Sequence, residues 1–470
     1  MLPATIPRPR PASAGHGWRR NFVDLGFTYG PREATVTGRL PEGLEGRVDL
    51  VGPGRFGFAG DRYRHWFDGD GSVLSVRFAG GRAIACLRNI VPPELDEERR
   101  SGRQRLERYG TPAPRPLLAR LGAGVANAAN TSVLHWQGRV FALFEAGRPV
   151  ELDPTTLATI GESDLGALGK TFSAHPHRVP SHRTTYGFGQ RIFGRPAADL
   201  YALPDSGPAR RLGRCPLPFT GMMHDFAVTP RWVVLMAPPV RLRWSRILEG
   251  RTPFREALVW EPERGTEVIL LPLGSGRPVR LHGEPFFFWH TLNAFDAPEG
   301  PVVDVVGYPD FSSEAWLGAL PHRVPERAAP GTLQRIRIDL SAGRFTPQVS
   351  PRWACRPQSL AYVTSPSNPE AARGVFDGLA KVDLRRGRAR RFALEPETYP
   401  SEPVFVPRPG ATGEDDGWLL SLVYEPMSDL SHVAVLDARV PDLPPLARVE
   451  LGARVPFAFH GRFASRDGVV

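Results

Sequence analysis

Residues 129–157 read ANTSVLHWQGRVFALFEAGRPVELDPTTL. Two apolar runs of strand length, 131–136 and 139–144, flank the dipeptide Gln137-Gly138. A two-residue turn of this kind matches the twist of antiparallel strands, so the stretch predicts a hairpin. Outward from it the pattern recurs. Short apolar runs stand at 73–78, 232–236, 301–306, 418–423 and 431–436, split by Gly, Pro, Asp and Asn, with further hairpin-type dipeptides at Asp68-Gly69 and Asp416-Gly417. Helical periodicity is scarce between them. Strands joined by short turns over hundreds of residues predict a large all-β chain. At this size a β-propeller is the economical arrangement, because radial repetition of four-stranded blades protects sheet edges. No fixed repeat is visible, so the pattern alone leaves the blade number open.

The chain has 470 residues, with 41% hydrophobic and 23% charged residues, a balance that can bury a sizeable core. One propeller domain is expected over 1–470, with 1–30 as an extended leader draped over it. Cys86, Cys215 and Cys355 stand far apart, which excludes a disulfide scaffold and a cysteine-based metal site and fits a reducing compartment. No apolar run reaches the length of a membrane-spanning helix, and the N-terminus has no apolar core of signal-peptide type. The expectation is a cytoplasmic protein.

The net charge of +10 invites a nucleic-acid reading, but of the 59 basic residues only Lys170 and Lys381 are lysines and the arginines are spread evenly. Nucleic-acid modules concentrate their charge, so no nucleic-acid partner is expected. Two stretches depart from the strand pattern. Residues 92–128 are charged and then apolar with arginines, and 237–253 read APPVRLRWSRILEGRTP. They are expected to be connections between blades, and 112–122 with 240–250 could form an apolar lip, rimmed by arginine, that dips into a membrane surface. Gly52-Pro53-Gly54-Arg55-Phe56-Gly57 satisfies GxGxxG, yet a strand-like FGFAGDRYRHWF follows where a dinucleotide site needs a helix. Asp68-Gly69-Asp70-Gly71 lacks the spacing and closing Glu of a calcium loop.

Four of the twelve histidines have distinctive settings: His175 in FSAHP, His224 in MMHDF, His290 in FFFWHTLNAF and His460 in VPFAFHGRF. Each lies among apolar residues, where an unpartnered imidazole is costly to bury. A shared metal would satisfy all four. They are far apart in sequence, so only the fold could assemble such a site, and a propeller does so by bringing strands of different blades to its axis.

At this point the chain resembles the carotenoid cleavage oxygenase family, including its retinal-pigment-epithelium branch. The stretches that carry the resemblance are 64–73, 129–157, 172–176, 223–229, 287–295, 401–409, 414–418, 435–438 and 455–461, which span almost the whole chain. The resemblance implies a seven-bladed β-propeller with a cap of loops and short helices over ferrous iron on its axis. It implies His175, His224, His290 and His460 as the ligands. Neutral imidazoles suit Fe(II) and leave positions open for O₂. It also implies outer carboxylates that accept the second N–H of the ligands: Glu145 in FEAG and Glu402 in SEPVFV match two, while Cys355-Arg356 stands where the family has a third glutamate. Thr131 matches a threonine near an open iron position, the catalytic residue expected here.

The activity implied is O₂-dependent scission of a conjugated C=C bond of a carotenoid or apocarotenoid to aldehyde or ketone products, with a hydrophobic isoprenoid and O₂ as partners. Phe144, Phe288, Trp289, Phe457 and Phe459 are expected to line the substrate tunnel. Stilbene-cleaving relatives carry a lysine beside the glutamate that matches Glu145; Phe144 here cannot ion-pair a phenolate. The other readings are retinoid isomerohydrolysis and a carotenoid-binding propeller with little catalysis.

Overall fold

The structure is a computed structural model that describes residues 16–116, 124–248, 253–329, 331–348, 360–384, 386–392 and 394–466. The hairpin of the opening stretch forms as expected. Strand Ser132–Trp136 pairs with Arg139–Leu143, and Gln137 and Gly138 turn between them with φ of 50° and 75°. Positive φ at both central positions is the requirement of the favoured two-residue turn.

Among the described residues, seven such antiparallel sheets stand around one axis as the blades of a propeller. Blade 2 runs Ser132–Trp136, Arg139–Leu143, Val150–Leu152 and Thr159–Glu162. Blade 3 spans His177–Val179 to Arg210–Pro216, blade 4 Ala227–Val228 to Val279–Gly283, and blade 5 Phe287–Asp296 to Arg344–Gln348. Blade 6 holds Leu360–Ser365, Gly378–Asp383 and Arg388–Phe392. The ring closes twice. The C-terminal strand His460–Ser465 is the inner strand of blade 1 against Gly46–Arg55, and Thr35–Gly38 joins the outer edge of blade 7 against Ala447–Glu450. Strands from the two ends of the described chain thus close the ring.

The core is a set of wedges between consecutive blades. Leu74 and Val76 of blade 1 meet Leu420 and Val433 of blade 7. Met236 and Leu270 of blade 4 meet Val303 and Ile336 of blade 5. A central strand of a blade therefore buries both faces, and its sequence is nearly continuous in apolar residues, as in Trp418–Val423. The GxGxxG segment lies in and just after strand Gly46–Arg55. Gly52 is needed because a Cβ there would stand 2.5 Å from the Phe457 carbonyl oxygen, where the chain crosses toward His460. Asp68-Gly69 is not a hairpin turn. Asp68 is buried in a 3₁₀ turn, Trp66–Asp68, and accepts from Gly110 N (2.8 Å) and the Thr111 hydroxyl (2.6 Å).

Over one end of the ring the connections build a cap. Helix α1, Pro93–Ser101, is anchored by Glu98, which pairs with the buried Arg108 at 3.1 Å. Helix α2 is Trp244–Leu248 and helix α3 is Ser312–Ala319. Glu314 of α3 binds Arg255 at 2.8 Å and lies 3.3 Å from His65 Nε2, tying three cap segments together. Of the expected leader 1–30, residues 1–15 lie outside the described residues. Gly17–Asn21 forms a 3₁₀ turn whose Trp18, with Phe22 beyond it, packs against Phe56, Trp66 and Phe457, and Tyr29–Glu33 is an edge strand of blade 1.

Candidate metal centre

Each of the four singled-out histidines stands on or just before an inner strand. His175 precedes His177–Val179, His224 precedes Ala227–Val228, His290 lies inside Phe287–Asp296, and His460 opens His460–Ser465. Blade 5 must present a residue from the middle of its strand. Its pairing with Pro301–Tyr308 shifts register between Phe288 and Thr291, and the resulting bulge lies at His290.

The four imidazoles converge. His175 Nε2 and His224 Nε2 are 3.0 Å apart, and one nitrogen each of His175, His290 and His460 lie within 4.8 Å of one another. The ring centroids of His175 and His460, and of His290 and His460, are 4.6 Å apart. His290 Nε2 is buried and has no hydrogen-bond partner. Ring nitrogens that face one another in this way can serve as the donor set of a cation, and imidazole nitrogens suit a borderline metal ion.

Two carboxylates stand behind the cluster. Glu145 Oε2 is 2.5 Å from His224 Nδ1, and Glu402 Oε2 is 2.6 Å from His460 Nδ1. With Nδ1 engaged, each ring turns Nε2 toward the centre. Burial and the neighbouring imidazoles push His175 and His290 well below the usual histidine range. Burial also opposes a charge on His224, but Glu145 outweighs it and its affinity for a proton is raised. Rings that resist protonation keep their lone pairs for a metal.

The cluster forms the floor of a cavity of about 1570 Å³. Phe144, Trp289, Phe457 and Phe459 line it together with Thr131 and Glu145. The Thr131 hydroxyl donates to Asn130 Oδ1 at 3.1 Å, and Asn130 Nδ2 donates to the carbonyls of Phe67 and Gly69, which fixes the cap loop to the floor. Phe288 is a correction. It packs into the core between blades 4 and 5 with Phe286, Val303 and Phe345, and is absent from the cavity lining, because successive strand residues face opposite ways and Trp289 takes the cavity side. Cys355 and Arg356 lie outside the described residues.

The sequence reading missed Phe67, though it lies in the 64–73 stretch. Its ring is 5.7 Å from Trp289 and 5.6 Å from Phe459, edge to face with both. It missed Tyr109, which lines the cavity with its hydroxyl buried and unpartnered. It also missed His177, Asp225 and Thr291, each within two residues of a singled-out histidine. Adjacency was the available signal. At the far edge the lining reaches Val125, Phe193, Trp244 and Ile247; Phe193 is 65% exposed. Leu248 is exposed beside them, Arg243 pairs with Glu261, and 117–122 and 249–250 lie outside the described residues.

A propeller whose inner strands deliver four histidines to the floor of an aromatic cavity defines the class of the molecule. The chain belongs to the retinal pigment epithelial membrane protein family, whose model matches residues 27–465. It is 28% identical to the apocarotenoid-15,15'-oxygenase of Synechocystis sp., over 98% of this chain and 99% of that one. It is 29% identical to an isoeugenol monooxygenase of Pseudomonas putida, over 86% and 89% of the two chains. Among solved structures, cobalt-substituted Synechocystis ACO superposes with a TM-score of 0.85 at 27% identity, over 96% of this chain and 99% of that one.

Proposed function

We propose that the protein is a non-haem Fe(II) dioxygenase that cleaves a conjugated C=C bond of an apocarotenoid or carotenoid with O₂ to give two carbonyl products. The observation that carries the reading is the convergence of His175, His224, His290 and His460 at the floor of an apolar cavity, with Glu145 and Glu402 behind two of them. A family relative of similar length acts, by name, on an apocarotenoid. Phe144 beside Glu145 presents no cation to a phenolate, which favours an isoprenoid substrate.

In this reading the four imidazoles hold the iron, and Glu145 and Glu402 keep two of them in the Nδ1–H tautomer. Bound ferrous iron supplies the O₂ activation. The chain's own work is positioning. Phe67, Trp289 and Phe459 offer ring faces and edges to a flat polyene and hold it over the floor. Their packing with the cap excludes water from the reacting carbons. Thr131 stands on the cavity wall and limits how closely a ligand approaches the floor on that side. The exposed Phe193 and Leu248 at the cavity edge support uptake of the apolar substrate from a membrane surface, with arginines such as Arg241 and Arg246 meeting anionic headgroups. No helix among the described residues is long and apolar enough to cross a membrane.

The test is O₂ uptake by iron-loaded protein on addition of an apocarotenal, beside a His290→Ala variant. Uptake by the wild type, with no iron retained by the variant, is expected. Full iron occupancy and turnover in His290→Ala would overturn the site assignment.

A further inference from the structure

Directly beside the histidine cluster lies a carboxylate that the family reading does not use. Asp225 is 2% exposed and accepts four hydrogen bonds from three consecutive blades. Its Oδ1 takes Phe226 N at 2.7 Å and His177 Nε2 at 2.8 Å. Its Oδ2 takes Thr291 N at 2.7 Å and the Thr291 hydroxyl at 2.9 Å. Every partner stands next to a histidine of the cluster. Asp225 follows His224 in blade 4, Thr291 follows His290 in blade 5, and His177 is two residues beyond His175 at the head of blade 3. Among the described residues, Glu145 and Glu402 each contact one cluster histidine, and neither is paired with His175 or His290.

We infer that Asp225 is a positioning residue that sets the spacing of His175, His224 and His290 by pinning blades 3, 4 and 5 to one carboxylate. The inference rests on the reading of these histidines as metal ligands. Ligands from separate blades are joined mostly through inter-blade packing, which is non-directional, with a few hydrogen bonds such as Thr229 to Asp296 (2.8 Å) and the Thr291 hydroxyl to Phe226 O (3.0 Å) beside it. A metal site needs tighter control, of order 0.5 Å, from directional contacts. A carboxylate with both oxygens doubly occupied offers that control, because moving any one blade breaks a charge-assisted bond in a buried place. Asp225→Asn removes it with little change of volume. Whichever way the amide is turned, its NH₂ meets a fixed backbone donor, Phe226 N or Thr291 N, and the blades must part to relieve the clash.

The experiment measures metal binding and geometry without turnover. Wild type, Asp225→Asn, Thr291→Val and His290→Ala are prepared metal-free and titrated with Fe(II) against a chromophoric chelator. The same proteins are loaded with Co(II) and their ligand-field absorption is recorded. Wild type is expected to bind one equivalent and His290→Ala none; a wild type that binds no metal would remove the reading of the site itself, separately from the role of Asp225. With that reading intact, Asp225→Asn is expected to weaken binding by about tenfold to a hundredfold and to shift the Co(II) spectrum. Thr291→Val, which deletes one hydroxyl and leaves the backbone bond, is expected to show the same spectral shift with a smaller loss. A merely structural role would lower the melting temperature and leave the spectrum of the folded protein unchanged. Wild-type affinity and spectrum in Asp225→Asn would overturn the proposal; should that variant fail to fold, the same result in Thr291→Val would overturn it.

Discussion

At the floor of the cavity the side chains are held by charge and direction. Asp225 makes four hydrogen bonds, and Glu145 and Glu402 lie 2.5 and 2.6 Å from ring nitrogens. On the wall, Phe67 meets Trp289 and Phe459 edge to face at centroid distances of 5.7 and 5.6 Å. The floor comes from the inner ends of blades, whereas much of the wall comes from cap segments between them. The two are joined where Trp289 and Phe459 adjoin His290 and His460, and the part of the wall that comes from the cap can vary separately. A directional contact fails when one atom is wrong, while an aromatic contact degrades by degrees. A family built this way can keep its metal chemistry and change the shape it acts on.

The largest effects should fall on the floor. Glu145→Gln keeps the size of the group but removes the charge facing His224 Nδ1, and metal affinity should fall by about ten- to a hundredfold in a chelator competition. Glu402→Gln should cost less, because the Glu402 side chain is 47% exposed and water can replace part of its contact. Equal losses in the two variants would break the distinction between the less and the more exposed pair.

The next effect sharpens the account of the cap. Burial alone would raise the Glu314 carboxyl, but hydrogen bonds from His65 and Arg255 outweigh it and hold it at about 2, against an ordinary 4.5. A group whose folded value is depressed stabilises the fold above its unfolded value and loses that stabilisation as pH falls through the folded one. Urea midpoints of the wild type should thus decline between about pH 4.5 and 2. Glu314→Gln should be about 2 kcal/mol less stable at neutral pH and lack that part of the decline. Parallel curves would show that the Glu314 junction does not hold the cap.

Wall substitutions come lower. Phe459→Leu and Phe67→Leu should each reduce kcat/KM on an apocarotenal by about three- to tenfold, mostly in KM, with metal content unchanged. A loss of metal in either would show that wall and floor are coupled. The smallest effect concerns the cavity edge. Neutralising Arg246 alone should lower binding to anionic vesicles by at most about fivefold, since one surface cation contributes about 1 kcal/mol. Unchanged vesicle binding would count against the lip.

How far the sequence carried this picture follows from the same contrast. The hairpin at 129–144 was legible because a two-residue turn with glycine leaves a local mark, and runs such as 418–423 marked strands buried on both faces. The four histidines were legible because each is a polar residue in an apolar setting. Phe288 was misread because burial in a strand does not say which face a ring takes, and the bulge at His290 disturbs the alternation that would have told. Asp68 looked like a turn residue and is a buried acceptor, since Asp serves both ends with the same chemistry. Asp225 and His177 were invisible as a pair because their contact is made across blades.

The central claim is most directly tested by mass spectrometry of products from iron-loaded protein incubated in air with a panel of β-carotene, apocarotenals and resveratrol. The account predicts two carbonyl fragments from an isoprenoid, with masses that together equal substrate plus O₂, and intact resveratrol. Survival of every isoprenoid with iron fully bound, or cleavage of resveratrol alone, would contradict it.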